Sequence, residues 1–265
     1  MARQEGFVNV DGVRIYYESS GSGHPIILIH GFALDLRMWD DQFDHFSKWY
    51  RVIRYDVRGY GKSDLPQGET YSRSDDLKSL MKHVNISTSH ILGLSMGGTI
   101  ATDFALDYPK MVSSLILADA AIGGYQLEEL GRSLESVYEV AIESGVDGGK
   151  ELFSNLDLFK PASKKPDLAH KLMKMLNDYS GWHFINDDSY SQLDPPTIDR
   201  LNEITAPTLV ILGEFDSTEF HEIGNLLIEG IPNARKIVLP SVGHISNMES
   251  PESFNEIVLE FLEGL

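Results

Sequence analysis

The chain has 265 residues, 42 % of them hydrophobic and 23 % charged, a composition that fits a globular protein and excludes disordered and collagen-like classes. Its formal charge of −18 repels polyanions and argues against a nucleic-acid partner, while the absence of cysteine excludes disulfide frameworks, thiolate zinc sites, iron–sulfur clusters and cysteine nucleophiles. No apolar run approaches the ~18 residues of a membrane span, and the opening "MARQEGFVNVDG" lacks the apolar stretch of a secretory signal. The expectation is a cytoplasmic protein without a membrane partner.

In chain order, "GFVNV" and "VRIYYES" alternate apolar and polar residues about Asp11-Gly12, which predicts an antiparallel hairpin. After the "SGSGHP" loop, "IILIH" is a continuous apolar run, as expected of a strand covered on both faces. "YRVIRYD" repeats the theme, and further strands are expected at 90–94, 113–119, 207–213 and 234–240. Helical patterns lie between them, roughly at 39–47, 74–84, 97–108, 218–228 and 251–264. The alternation implies an α/β fold with a mostly parallel, doubly wound sheet of about eight strands. From 122 to 200 the rhythm fails, and helical periodicity in "LEELGRSLESVYEVAIESG" and "PDLAHKLMKMLNDYSGW" predicts a helical insertion after the sixth strand. The domain reading is therefore a core of 1–121 and 201–265, with a cap at 122–200. Trp182, Phe184, Phe153, Phe159, Met173 and Met175 could line a pocket beneath that cap or pack its own interior.

Gly93-Leu94-Ser95-Met96-Gly97 fits G-x-S-x-G and stands between an apolar strand and an uninterrupted helical pattern, the context in which a serine is lifted out of a sharp turn. The bland alternative is a tight strand-to-helix crossing built from small residues. A serine hydroxyl needs a base within hydrogen-bond reach, and the base needs an orienting carboxylate. His244, in the loop after the last strand, is the candidate base. His30 suits a structural role, and the other seven histidines read as surface or satisfied polar residues. Asp216 in "VILGEFDST" is the candidate acid, although an Asp before Ser-Thr also suits a helix N-cap. Asp119 competes for the role, but the order Ser95, Asp216, His244 favours Asp216. An oxyanion hole needs backbone donors. Those expected are the N–H groups of Met96 and of Phe32, whose side chain would also border the substrate together with Trp182.

These pieces together resemble the α/β-hydrolase superfamily over essentially the whole chain. The resemblance rests on "HGF" at 30–32, "DVRGYGKS" at 56–63, "GLSMGG" at 93–98, "GEFD" at 213–216 and "GH" at 243–244. It looks closest to small carboxylesterases and enol-lactonase-like members, and is similar also to cofactor-free haloperoxidases and to hydrolases of ring-cleavage products. The resemblance implies a cap between the sixth and seventh strands. It also makes "DVRGYGKS" a structural loop; Asp56 stands where a phosphate loop needs glycine. Serine in place of aspartate as nucleophile disfavours direct halide or epoxide displacement.

The function expected is a serine esterase that forms an acyl-enzyme from a small or medium ester or lactone, with no metal and no cofactor, as a monomer or homodimer. C–C hydrolysis, perhydrolysis and non-enzymatic ligand reception on the same fold are the alternatives. Arg37 could pair with a substrate carboxylate or be an ordinary solvated loop charge.

Overall fold

In the computed structural model, which describes residues 3–265, β1 (Gln4–Val10) and β2 (Val13–Gly21) pair antiparallel with Val10 opposite Val13. Asp11 and Gly12 both take positive φ, 51° and 88°, the backbone a two-residue hairpin turn requires. The remaining strands are β3 (Pro25–Ile29), β4 (Arg51–Tyr55), β5 (Ser89–Leu94), β6 (Val112–Ala118), β7 (Thr208–Gly213) and β8 (Ala234–Leu239). They form one eight-stranded sheet in the order β1-β2-β4-β3-β5-β6-β7-β8, parallel from β4 to β8, with β1 and β2 antiparallel at one end. Every residue of β5 and β7 is buried, which is why these strands read as unbroken apolar runs.

Helices α1 (Asp40–Phe46), α2 (Arg73–His83) and α3 (Met96–Asp107) fill the crossovers of the first half. Between β6 and β7 the chain runs through α4 (Glu128–Ser144), α5 (Val146–Ser154), α6 (Lys160–Ser163), α7 (Pro166–Asp178) and α8 (Trp182–Ile185) without a strand. After β7 come α9 (Thr218–Gly230), α10 (Ser246–Glu249) and α11 (Pro251–Glu263). Among the described residues no helix is long and apolar enough to cross a membrane.

Two features of this topology position a site. The chain leaves β3 for β4 on one side and then crosses to β5 on the other, so the loops after β3 and β5 diverge and leave a crevice at their carboxyl ends. The loop after β4 is tied down from within. Asp56 Oδ1 accepts the Leu36 N–H (2.9 Å) and Oδ2 the Lys62 N–H (2.8 Å), while Ser63 Oγ accepts the Tyr16 N–H (2.9 Å). Those bonds give "DVRGYGKS" its structural part.

Candidate active site

Ser95 follows directly on β5 and has φ 55° and ψ −117°, a conformation that L-residues rarely adopt. Neighbouring glycines make the turn possible. A Cβ at Gly93 would overlap the Gly97 carbonyl, and one at Gly97 would overlap the Ile29 carbonyl of β3. The sharp turn leaves Ser95 only partly buried, at the start of α3, in the crevice.

His244 arrives from the loop after β8, and its Nε2 lies 2.9 Å from Ser95 Oγ. Its Nδ1 lies 2.9 Å from Asp216 Oδ2, in the loop after β7. Asp216 Oδ1 accepts the Ser217 N–H at 2.7 Å, which fixes the carboxylate plane. With Asp216 acting as acceptor, the imidazole N–H belongs on Nδ1 and Nε2 is left to accept the serine proton. Burial lowers the His244 pKa, but the charge and hydrogen bond of Asp216 outweigh it and the net shift is upward. Asp119, the competing acid, is fully buried and turned elsewhere. Its Oδ1 accepts the Gly213 N–H (2.7 Å) and its Oδ2 the Ser246 N–H (3.3 Å). Burial first, and then the charge of Asp216, raise the Asp119 pKa well above its ordinary value.

Ser95, Phe32 and Met96 share the lining of a cavity of about 710 Å³. Among the described residues the backbone N–H groups of Phe32 and Met96 have no acceptor, so both can receive one from a ligand. A small apolar recess of about 60 Å³ adjoins, shared by Ser95, His244, Phe153 and Phe159. The Phe32 ring contacts Phe153 of α5 (5.9 Å between centroids) and Phe184 of α8 (6.1 Å), which docks the helical segment onto the crevice. Phe153, Phe159 and Phe184 therefore both line cavities and pack the interior. Met175 is buried away from them, and Met173 is exposed.

Trp182, expected to border the substrate, stands outside both cavities; the next two residues of α8, His183 and Phe184, line the larger one instead. A four-residue helix turns about 100° per residue, so adjacent side chains face different ways. Arg37 is tied to Asp35 (2.6 Å) and Asp178 (2.7 Å) and borders a separate cavity beyond Leu36. His30 is fully buried, with Nε2 accepting the Val57 N–H (2.9 Å) and Nδ1 bonded to the Gly31 carbonyl (2.8 Å). Burial pushes its pKa down to about 4, so it stays neutral. The sequence reading missed the polar wall of the larger cavity, made of Arg73, His183, Asp188 and Tyr190. Among the described residues no group of three or more His, Asp or Glu is arranged to hold a metal ion.

A sequence profile of the alpha/beta hydrolase fold matches residues 24–139. The chain is similar to the 2-hydroxy-6-oxononadienedioate/2-hydroxy-6-oxononatrienedioate hydrolase of Cupriavidus pinatubonensis, at 32 % identity over 94 % of this chain and 90 % of that one. Among solved structures it is similar to a thermophilic esterase from Thermogutta terrifontis, with TM-score 0.80, 26 % identity and 98 % of both chains covered. It is also similar to an N-acyl homoserine lactone degrading enzyme, with TM-score 0.74, 27 % identity, 97 % of this chain and 100 % of that one.

Proposed function

The chain belongs to the alpha/beta hydrolase family, and from that premise we propose that it is a serine hydrolase of small or medium carboxylic esters or lactones, acting through an acyl-enzyme. One observation carries this reading: the unbroken Ser95–His244–Asp216 hydrogen-bond chain, with its serine opening into the 710 Å³ cavity. His244 Nε2 takes the Ser95 proton as Oγ attacks the substrate carbonyl, and the Phe32 and Met96 N–H groups hold the tetrahedral oxyanion. His244 then hands that proton to the leaving oxygen, and the acyl-serine remains. A water enters, His244 again acts as base, and the acid departs. Asp216 keeps the imidazole in the tautomer that leaves Nε2 free. The helical segment between β6 and β7 serves as a cap that roofs the cavity with α4 and α8.

The test is steady-state hydrolysis of p-nitrophenyl acetate and butyrate by the wild type and Ser95→Ala. The expected loss in kcat is at least about a thousandfold, with Tm little changed. Undiminished turnover by Ser95→Ala sinks the reading. A second reading, hydrolysis of a C–C bond in a ring-cleavage product, is supported by the name of the 32 % identical relative. A keto-dienoate offered alongside the esters decides between them by which gives the higher kcat/KM.

A further inference from the structure

Among the described residues Arg73 is the single Lys or Arg lining the Ser95 cavity. Its Nη2 donates to Asp188 Oδ2 at 2.8 Å, and its Cζ lies 3.7 Å from the centroid of the Tyr190 ring. The Tyr71 hydroxyl also donates to Asp188, at 3.0 Å from Oδ1 and 3.1 Å from Oδ2. The guanidinium is thus stacked on one face and anchored by one nitrogen, while Nε is buried without an acceptor among the described residues. A second donor in the same wall is in the same condition. The Tyr179 hydroxyl oxygen accepts the His183 backbone N–H (3.2 Å), which directs its own proton to His183 Nδ1 (2.8 Å) and leaves the imidazole N–H on Nε2. That Nε2 has no hydrogen bond among the described residues and stands 3.6 Å from Asp188 Oδ2, on a side chain only 4 % exposed. Both of these atoms are sealed from solvent, and the Nε2 edge of His183 lies against Gly59 and Asp188, so the cation that this wall presents to the cavity is the Arg73 guanidinium.

We propose that Arg73 forms a carboxylate-binding subsite in the Ser95 cavity, so that the preferred acyl substrates carry a free carboxylate besides the scissile carbonyl. The fixed plane of a stacked guanidinium is suited to the two oxygens of a carboxylate. The same cavity is lined by Leu127, just before α4, and by Leu130, Leu134, Tyr138 and Ile142 along one stripe of that helix. A substrate with an apolar body and an anionic end matches this lining. Asp188 already offsets part of the Arg73 charge, so it sets the strength of the subsite as well as its geometry.

The choice of ester substrates rests on the acyl-enzyme reading, and the test separates the two. We would compare kcat/KM for p-nitrophenyl glutarate hemiester with that for its neutral methyl ester, at 0.15 M salt (about physiological ionic strength). The expected preference for the anion in the wild type is about ten- to a hundredfold. Arg73→Met brings the ratio down to about one, with Arg73→Lys between, and Asp188→Asn raises it by freeing the cation from its partner. A purely structural ion pair would move both substrates together in every variant. A wild-type ratio at or below one, or a ratio that no variant changes, overturns the subsite. Should the wild type hydrolyse no ester at all, the acyl-enzyme reading fails alone. Calorimetric titration of glutarate into Ser95→Ala and Ser95→Ala/Arg73→Met then decides the subsite, by binding in the first and its loss in the second.

Discussion

His244 is buried between two carboxylates, of which one reaches its ring. Asp216 Oδ2 stands 2.9 Å from Nδ1, whereas Asp119 gives both oxygens to backbone amides of the loops that carry Asp216 and His244. Burial and the neighbouring Asp216 charge raise the Asp119 pKa, and with both oxygens held by backbone amides Asp119 makes no hydrogen bond to the imidazole. The two aspartates therefore separate on substitution. Asp216→Asn allows the wrong imidazole tautomer and lowers kcat by about 10³–10⁴-fold; Asp119→Asn changes kcat by only a few-fold and shows its effect in Tm. The pH profile carries a sign as well. In the proposed mechanism His244 must be neutral to act as base, and its pKa is raised above its ordinary value, so the acidic limb of kcat/KM is expected at a pH above 6.5. A limb well below that pH, or similar kcat losses in both variants, would remove this assignment of roles.

At the level of elements, the His244 loop is held by the short helix α10 that follows it. Glu249 Oε2 accepts the Gly243 N–H at 2.9 Å and Oε1 the Ile245 N–H at 3.4 Å, bracketing the histidine. Lys165, between α6 and α7, donates to the Glu249 carbonyl and so fastens the helical segment to the same turn. Glu249→Ala leaves two buried amides unpaired, at about 1–3 kcal/mol each, which in a chain of this size lowers Tm by roughly 4–10 °C. Glu249→Gln keeps one acceptor and recovers much of that loss in both Tm and kcat. Equal Tm in the wild type and Glu249→Ala would remove the bracket from the account. The same scale explains what could be read from the sequence. The strands flanking the site are buried on both faces and Gly93 and Gly97 admit only a close crossing, so the place of Ser95, the loop of Asp216 and the loop of His244 were all legible. The polar wall was not, because Asp188 and Tyr190 follow α8 in a stretch without period, and only folding sets them against Arg73. One local signal was present. Arg73 is the first residue of α2, where the helix dipole disfavours a cation, and a broken local rule often marks a functional position.

The whole molecule works against the subsite proposed inside it. A net charge of −18 surrounds a cavity argued to receive a carboxylate, so the long-range field repels the ligand that Arg73 attracts at short range. The two effects respond differently to salt. Between solvent-exposed charges the screening length falls from about 30 Å at 0.01 M to about 8 Å at 0.15 M, while contacts inside a buried wall are screened much less. The Arg73 side chain is 11 % exposed, so its attraction survives added salt better than the repulsion does. kcat/KM for the anionic glutarate hemiester is therefore expected to rise several-fold over that range of salt, through KM, with the neutral methyl ester unchanged. Stopped-flow acylation at several salt concentrations measures this directly, since encounter enters the second-order constant and the chemical step does not depend on bulk ions. A second-order constant that instead falls steeply with salt for the anion would place the recognising cation in open solvent, and Arg73 would not be that cation.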